Sequence, residues 1–301
     1  KEDIFLYKGI YLAAGAERRP VLKIGYTDMW QGFFHGANLI ADALSKKYRI
    51  EVSRQPDVLF CGQFGDNHKE YHNCKKVLLI TEPFVLHLDS YDYSIGFPYL
   101  EGERHLQYNP YAPRNSYIQY RNPLVQPSMA NRKFCNFIYS QDTMGEGAGL
   151  RKEFCSMLTE YRRVDCPGRV LNNMRNVIAP RHAKDQWESK MAFLAQYKFT
   201  IAFENSSIPG YTTEKLWQPF LAGSIPIYWG NPLILQDVNS EAFINCNEYG
   251  NDLAAVVKRI KEIDENNELY LSMLRQAPMK ESYDFSSRRL EEFLDRVISD
   301  I

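Results

Sequence analysis

Between residues 198 and 232, the order of apolar and polar positions predicts a strand, a loop, a helix and a second strand. The first run is apolar and rich in β-branched and aromatic residues, which is typical of a buried strand. The helix can be capped by Thr212 or Thr213 and ends at Ala222-Gly223. Units of this kind build parallel sheets and bind ligands at the carboxyl ends of their strands. In order, the four elements cover residues 198–203, 206–212, 213–221 and 224–229.

The rest of the chain alternates between short apolar runs and amphipathic helices, and sequential strand–helix–strand units imply a parallel sheet. The predicted fold class is therefore α/β. Residues 100–128 lack a clean period and are predicted to be irregular. Further strands are predicted at residues 22–26, 50–52, 58–61, 76–81, 92–97 and 133–139, and helices at residues 36–47, 150–162, 184–197, 252–263 and 286–301.

Five polar residues fall at the carboxyl end of the strand 198–203, namely Glu204, Asn205, Tyr211, Glu214 and Lys215. The first turn of a helix favours phosphate, because it exposes unpaired N–H groups and the positive end of its dipole. Lys215 adds a full positive charge there, and the carboxylate of Glu214 suits the vicinal hydroxyls of a ribose. For Thr-Glu-Lys alone, a dipole-complementing Glu214 and a solvated Lys215 are the better interpretation. The whole loop favours a nucleotide-sugar site.

A second carboxylate, Glu82, directly follows the predicted strand 76–81 and precedes a proline that disfavours helix. It therefore lies at the carboxyl end of a buried strand. A partly buried Glu has a raised pKa, which suits a general base near neutral pH. The spacing alone favours the alternative that this carboxylate binds loop amides.

The aromatic loop after the first strand contains Trp30, Phe33 and His35. It could form one wall of an acceptor-sugar site, or it could be a satellite aromatic cluster. Two other histidines, His68 and His72, are predicted to lie on the surface because their surroundings are polar. The chain has neither an Asp-x-Asp near a strand end nor Cys and His at zinc spacing, so we expect no metal site.

Composition excludes some partners. The net charge of −1 gives no general attraction to nucleic acid or anionic lipid. No run has the length of a transmembrane helix and no signal peptide is visible, although the sequence begins with Lys and an anchor could precede it. The six cysteines form no C-x-x-C, and we expect buried free thiols in a reducing compartment.

The stretch from Phe199 to Pro232 resembles the signature of the α1,3/α1,4-fucosyltransferases, glycosyltransferase family 10. That signature combines a segment like FxLxFENS, a Tyr-x-Thr-Glu-Lys turn and a Pro-containing strand that ends near Gly-x-Pro. The bacterial members are the most similar, because they share the segments at residues 196–199 and 225–230. The resemblance implies the GT-B architecture, in which two Rossmann-like domains face each other across a cleft. Residues 1–128, joined by the helix 286–301, would bind the acceptor, and residues 129–285 would bind GDP-fucose.

The resemblance also implies roles for individual residues. Glu82 would be the catalytic base, although Thr-Glu-Pro-Phe here replaces the Glu-Asn or Glu-Ser step of relatives. Arg151 lies in the first turn of the helix 150–162, where its charge opposes the dipole, and it is similar to the arginine that contacts the GDP diphosphate. Asn172 and Asn173 are further candidates for guanine or fucose contacts. Asn205 and Tyr211 would contact the fucose or the diphosphate.

The expected function is inverting transfer of L-fucose from GDP-fucose to a GlcNAc hydroxyl of an N-acetyllactosamine-type (Gal-GlcNAc) acceptor, with α1,3 linkage preferred over α1,4. We expect no required cofactor, although added divalent metal ions could stimulate. The alternatives are another GT-B glycosyltransferase with a different nucleotide sugar and a catalytically inactive glycan-binding module. The expected location is the cytoplasm of a bacterium, including peripheral contact with the inner face of the membrane, where Lewis-antigen-type glycans of lipopolysaccharide or protein would be made.

Overall fold

The computed structural model describes residues 18–35, 38–84, 87–112, 125–175, 178–180, 183–250 and 252–301. The chain separates into two compact units. The first comprises Lys1–Pro110 and Ser286–Ile301, and the second comprises Tyr111–Phe285. Each unit contains its own parallel sheet and its own core. The sequence had suggested a change of domain at residues 128/129 with the last helix returning to the first domain.

The first unit is built on a six-stranded parallel sheet of order β2-β1-β3-β4-β5-β6. One helix, α1 (Leu39–Ser45), connects β1 to β2, and it begins after Asn38 because the side chain of Asn38 accepts a hydrogen bond from the amide of Ala41. The strands are β1 (Val21–Thr27), β2 (Arg49–Val52), β3 (Val58–Cys61), β4 (Lys75–Ile80), β5 (Tyr93–Gly96) and β6 (His105–Gln107).

The second unit is built on a five-stranded parallel sheet of order β11-β10-β9-β7-β8. Every residue of its central strand β9 is buried, as the apolar run predicted. The strands are β7 (Lys133–Asn136), β8 (Val164–Asp165), β9 (Tyr197–Phe203), β10 (Ile225–Trp229) and β11 (Ile244–Asn245); the helices are α2 (Glu146–Tyr161), α3 (Gln186–Leu194), α4 (Glu214–Ala222), α5 (Leu253–Glu265) and α6 (Asn267–Arg275).

The last helix, α7 (Arg288–Ser299), belongs to the first unit. Its apolar face, Leu290, Phe293, Leu294 and Val297, is buried in the same core as the strand residues Ile24, Phe60 and Val77. The amphipathic period of residues 286–301 thus correctly indicated a helix with one buried face.

Several predicted boundaries were wrong. The predicted helix 184–197 ends at Leu194, and the predicted strand 133–139 ends at Asn136. Helix α6 was not predicted. The short strands β6, β8 and β11 were also missed, because segments of two or three residues leave no period to recognise. All six cysteines are free thiols and five of them are buried, as expected.

Candidate active site

The carboxyl end of β9 carries a buried carboxylate, Glu204, whose side chain is 0% exposed. Its Oε1 accepts a hydrogen bond from the amide of Thr213 at 2.7 Å. Its Oε2 accepts from the hydroxyl of Thr213 at 2.7 Å and from the ammonium of Lys215 at 3.2 Å. Burial raises the pKa of Glu204, and the positive charge of Lys215 opposes this effect. The end of β9 and the first turn of α4 are therefore tied together by one charged group.

Two glycines leave room for this carboxylate and for the end of its strand. A Cβ at Gly230, which directly follows β10 and has φ +155°, would lie 2.6 Å from Cγ of Glu204. A Cβ at Gly147, in the first turn of α2, would lie 2.0 Å from the carbonyl oxygen of Glu204. The Gly-rich start of α2 can therefore approach the end of β9, and the amide of Gly147 donates to the carbonyl of Asn205 at 3.0 Å.

Arg151 and Asn205, two predicted donor-binding residues, are in direct contact. Nη1 of Arg151 donates to Oδ1 of Asn205 at 2.9 Å, and Nη2 donates to the carbonyl of Gln141. The guanidinium lies 4.2 Å above the ring of Tyr139, and the residue is only 1% exposed. Burial lowers the pKa of Arg151, and the neighbouring Tyr139 and Glu204 oppose that shift. This arginine therefore fixes the Asn205 amide and places a buried positive charge behind the loop.

Glu214 and Lys215 begin α4, and both are partly buried. Of the two predicted N-cap residues, Thr212 and Thr213, it is Thr213 that caps the helix. Burial alone would raise the pKa of Glu214, but the ammonium groups of Lys215 and Lys190 lower it. Burial alone would lower the pKa of Lys215, but the carboxylates of Glu204 and Glu214 raise it. The first turn of α4 therefore presents both an ionised carboxylate and a protonated ammonium near neutral pH.

The loop between β9 and α4 is fixed by Asn231, a residue that the sequence analysis missed. Its Oδ1 accepts from the amide of Gly210 at 2.9 Å, and its Nδ2 donates to the hydroxyl of Thr212 at 3.1 Å. Tyr211 lies between these two contacts and is 1% exposed. The position of Asn231 directly after a buried strand and Gly230 was the available signal.

Asn173, another predicted donor-binding residue, has a local structural role. Its Oδ1 accepts from the amide of Cys166 at 2.7 Å, and its Nδ2 donates to the carbonyl of Val164 at 2.8 Å. Asn172 likewise donates to the carbonyls of Pro167 and Gly168. Both amides stabilise the turn that follows β8, which favours a structural role over a nucleotide contact.

In the first unit, Glu82 follows β4 in a turn whose backbone is held by Gln63. Oε1 of Gln63 accepts from the amides of Thr81 and Glu82 at 2.8 and 2.9 Å, and its Nε2 donates to the carbonyl of Glu82 at 3.1 Å. Glu82 itself is partly buried at the carboxyl end of its strand, as predicted. Gln63 was missed, although it stands two residues after the buried strand β3.

Two other carboxylates near strand ends, those of Asp92 and Glu204, are unsuited to act as the base. The carboxylate of Asp92 accepts from the amide of Lys76 at 2.8 Å, near the start of β4 and hence at the opposite edge of the sheet from Glu82. Glu204 is fully buried and its two oxygens already accept from Thr213 and Lys215. Within its own unit, Glu82 therefore remains the candidate.

The three predicted acceptor-site residues form one cluster at the carboxyl end of β1. The ring centroids of Trp30 and Phe33 are 4.9 Å apart, those of Phe33 and His35 are 5.4 Å apart, and Tyr26 stacks on His35 at 5.4 Å. Trp30 is 36% exposed. These contacts are therefore compatible with both interpretations, a satellite aromatic cluster and one wall of an acceptor-sugar site.

The prediction that His68 lies on the surface was wrong. It is 4% exposed, and its Nδ1 lies 3.0 Å from Oδ2 of Asp28, which also accepts from the His68 amide at 2.9 Å. Asp28 has a positive φ of 55° and packs against Gly62 and Gly65. The two residues are 40 positions apart, so no local pattern could reveal the pair. His72 is exposed, as predicted.

Neither metal-ligand clusters nor membrane spans were found in the part of the chain that the structure describes. No group of three His, Cys, Asp or Glu side chains there could hold a metal ion. None of the helices described is long and apolar enough to cross a membrane.

Comparison with known proteins places these features in a family. A model of the "Glycosyltransferase family 10 (fucosyltransferase) C-term" matches residues 128–291, and a model of the "Alpha-(1,3)-fucosyltransferase FucT N-terminal domain" matches residues 24–113. The putative fucosyltransferase R654 of Acanthamoeba polyphaga mimivirus is 30% identical over 72% of this chain and 36% of its own length. The alpha-(1,3)-fucosyltransferase FucT of Helicobacter pylori is 27% identical over 86% of this chain and 61% of its own. The chain thus spans only part of these relatives.

Solved structures agree on the fold. A crystal structure of an alpha1,3-fucosyltransferase aligns with a TM-score of 0.76 at 23% identity, over 96% of this chain and 92% of that one. Another, determined with GDP-fucose, aligns with a TM-score of 0.74 at 22% identity, over 97% of this chain and 95% of that one. The predicted fold class, α/β with two Rossmann-like domains of the GT-B type, is confirmed. Since the C-terminal family model alone matches residues 128–291 of 301, the chain belongs to glycosyltransferase family 10.

Proposed function

We propose that this chain is an inverting fucosyltransferase that moves L-fucose from GDP-fucose to a GlcNAc hydroxyl of a Gal-GlcNAc acceptor. The observation that carries the proposal is the polar cluster at the carboxyl end of β9, where Glu204, Thr213 and Lys215 are joined at the first turn of α4. A helix N-terminus with an added ammonium suits a diphosphate, and the adjacent ionised Glu214 suits a ribose.

The proposed reaction needs a base and a stabilised leaving group. Glu82 accepts the proton of the acceptor hydroxyl while the oxygen attacks the anomeric carbon of fucose, and the bond from that carbon to the β-phosphate oxygen breaks. The product is an α-fucoside, because attack from the opposite side inverts the β-linked donor. Lys215 and the amides of the first turn of α4 stabilise the charge that develops on GDP.

We propose that the acceptor binds at the carboxyl edge of the first sheet. The aromatic cluster of Trp30, Phe33 and His35 follows β1, and the exposed rings of Phe64 and Phe84 follow β3 and β4 and meet edge to face at 5.7 Å. A cavity of about 380 Å³ beside Phe84 is also lined by Gln63, which holds the backbone of Glu82. Aromatic faces beside polar groups suit the CH surfaces and hydroxyls of a sugar.

Product analysis is the most direct test. The purified protein is incubated with GDP-fucose and either Gal-β1,4-GlcNAc or Gal-β1,3-GlcNAc, and the linkage is determined by NMR. We expect fucose on O3 of GlcNAc in the first isomer and little product from the second. Transfer to galactose, or no transfer to either isomer, would contradict the proposed acceptor.

Nucleotide competition and donor hydrolysis separate the alternatives. GDP should displace the donor and UDP should not; the opposite result would favour a different nucleotide sugar. Slow hydrolysis of GDP-fucose without acceptor would exclude an inactive glycan-binding module.

We further propose that the reaction needs no metal ion and takes place in the cytoplasm or at the inner face of the bacterial membrane. The cationic residues Arg151 and Lys215 support the first proposal, and buried free thiols support the second. Activity should largely survive EDTA. Complete loss that manganese restores would contradict metal independence.

A further inference from the structure

The buried carboxylate of Glu204 has no part in the reaction proposed above. It is fully buried beneath the donor-binding turn, where a charged group is costly to desolvate. Its two oxygens accept three hydrogen bonds, from the Thr213 amide, the Thr213 hydroxyl and the Lys215 ammonium. All three donors belong to the N-terminal turn of α4. The carboxylate therefore holds the turn rather than the loop around it.

We propose that Glu204 is a positioning residue for the donor: it fixes the ammonium of Lys215 and the first turn of α4 in the orientation that receives the diphosphate. This inference rests on the proposed function, because it assumes that Lys215 binds the donor. Glu204 itself would touch neither GDP nor fucose.

The exposure of the two partners supports this assignment. The side chain of Glu204 is 0% exposed, whereas that of Lys215 is 18% exposed. An ammonium has three N–H donors. Among the described residues, those of Lys215 contact Oε2 of Glu204 at 3.2 Å and Oγ1 of Thr213 at 3.0 Å. Two contacts on the buried side fix the direction of the ammonium and leave one donor for a phosphate oxygen.

A second buried ion pair at the other end of the same strand lacks these properties. Lys198, in β9, donates to Oδ1 of Asp264 at 2.8 Å and to its carbonyl at 3.2 Å, and its ammonium lies 5.3 Å from the centroid of the Tyr270 ring. Lys198 and Asp264 are 6% and 1% exposed. Both side chains are enclosed, so this pair presents no charged group to a ligand and serves as the matched control.

The first test is Glu204→Gln, which keeps the shape and removes the charge. We expect GDP affinity, measured by calorimetry, to fall about ten-fold, which corresponds to about 1.4 kcal/mol. The KM for GDP-fucose should rise more than kcat falls, because the lost orientation affects donor binding. Unchanged affinity would overturn the proposal, and so would tighter binding, which would show that the carboxylate only repels the diphosphate.

A double-mutant cycle shows whether Glu204 acts through Lys215. In a Lys215→Ala background, Glu204→Gln should cause no further loss of GDP affinity, since the group to be positioned is gone. Additive losses would overturn the proposal. If Lys215→Ala is poorly folded, Thr213 supplies the second route: Thr213→Val should weaken GDP and Thr213→Ser should restore it, and equal affinity of these two variants would also count against the proposal.

Asp264→Asn distinguishes positioning from general destabilisation. We expect this variant to have a lower melting temperature than wild type. Its GDP affinity, measured about 20 degrees below the melting temperature of the variant, should equal that of wild type at the same temperature. A loss of GDP affinity equal to that of Glu204→Gln would overturn the proposal. Wild-type protein that binds no GDP would instead reject the proposed function and this inference with it, whereas normal wild-type binding with an unaffected Glu204→Gln variant rejects this inference alone.

Discussion

The carboxyl edges of the two parallel sheets differ in what they expose. At the edge of the second sheet, Glu204, Thr213 and Lys215 form a closed polar network around the start of α4. At the edge of the first sheet, four aromatic side chains are exposed, namely Trp30, Phe34, Phe64 and Phe84. The difference corresponds to the proposed ligands. A nucleotide diphosphate is charged and requires pre-organised partners, whereas a neutral glycan can be bound by ring faces and a few polar groups.

The largest expected effect concerns Glu82, the proposed base at the carboxyl edge of the first sheet. Glu82→Gln keeps the shape and removes the basicity, and turnover should fall by about 10²–10⁴, the usual worth of general-base catalysis. GDP affinity should stay at the wild-type value, because Glu82 belongs to the other edge. Asp92→Asn is the matched control, since Asp92 lies at the amino end of the same sheet. A Glu82→Gln protein that retains a tenth or more of wild-type turnover would show that the base is another group.

The second-largest expected effect tests the carboxyl edge of the second sheet. Lys215→Ala should weaken GDP binding by about 1.5–3 kcal/mol, the worth of a charge-assisted hydrogen bond. Glu214→Ala should also weaken GDP through the ribose. Lys258→Ala, which removes an exposed lysine of α5, should leave the calorimetric affinity unchanged. If GDP affinity is normal in both site variants, the nucleotide binds elsewhere.

A smaller effect tests the aromatic residues at the carboxyl edge of the first sheet. Trp30→Ala should raise the KM for the acceptor several-fold, because an aromatic contact contributes about 0.5–1.5 kcal/mol. The KM for GDP-fucose should not change. The control is Trp187→Ala, which removes another exposed tryptophan, from α3 of the second unit. Equal acceptor KM values for the two variants would identify the cluster of Trp30, Phe33 and His35 as a satellite of the core.

The smallest expected effect is on stability, and it concerns the charge state of Glu214 in the first turn of α4. Burial opposes ionisation of Glu214, but Lys215 and Lys190 lower its pKa in the folded protein below 4.5. Its ionisation therefore stabilises the fold above pH 4.5, and this contribution is lost as the pH falls through the lowered pKa. Urea unfolding between pH 3 and 6 should show wild type losing stability relative to Glu214→Gln as the pH decreases. If the difference in unfolding free energy between the two proteins does not change with pH, the pKa of Glu214 is unshifted.

The sequence by itself determined most of the secondary structure around the site. The apolar runs of β4, β9 and β10 were long enough to show burial, and the Thr-Glu-Lys turn after β9 could be placed on the first turn of a helix. These are local properties, because a strand, its end and the following cap lie within a few residues of one another. Glu82 could therefore be assigned to the end of a strand, and Lys215 to the start of a helix, from spacing alone.

Only the tertiary structure decided which polar groups meet. Arg151 contacts Asn205 across 54 positions, Gln63 holds the backbone of Glu82 across 19, and His68 pairs with Asp28 across 40. The reason is that strand order and register, rather than hydrophobic period, bring these segments together. In each sheet, strands distant in sequence become neighbours, as β7 and β9 do. The pattern of the chain fixes where a strand ends, and the packing of the sheet determines which buried partner then holds and orients the functional group.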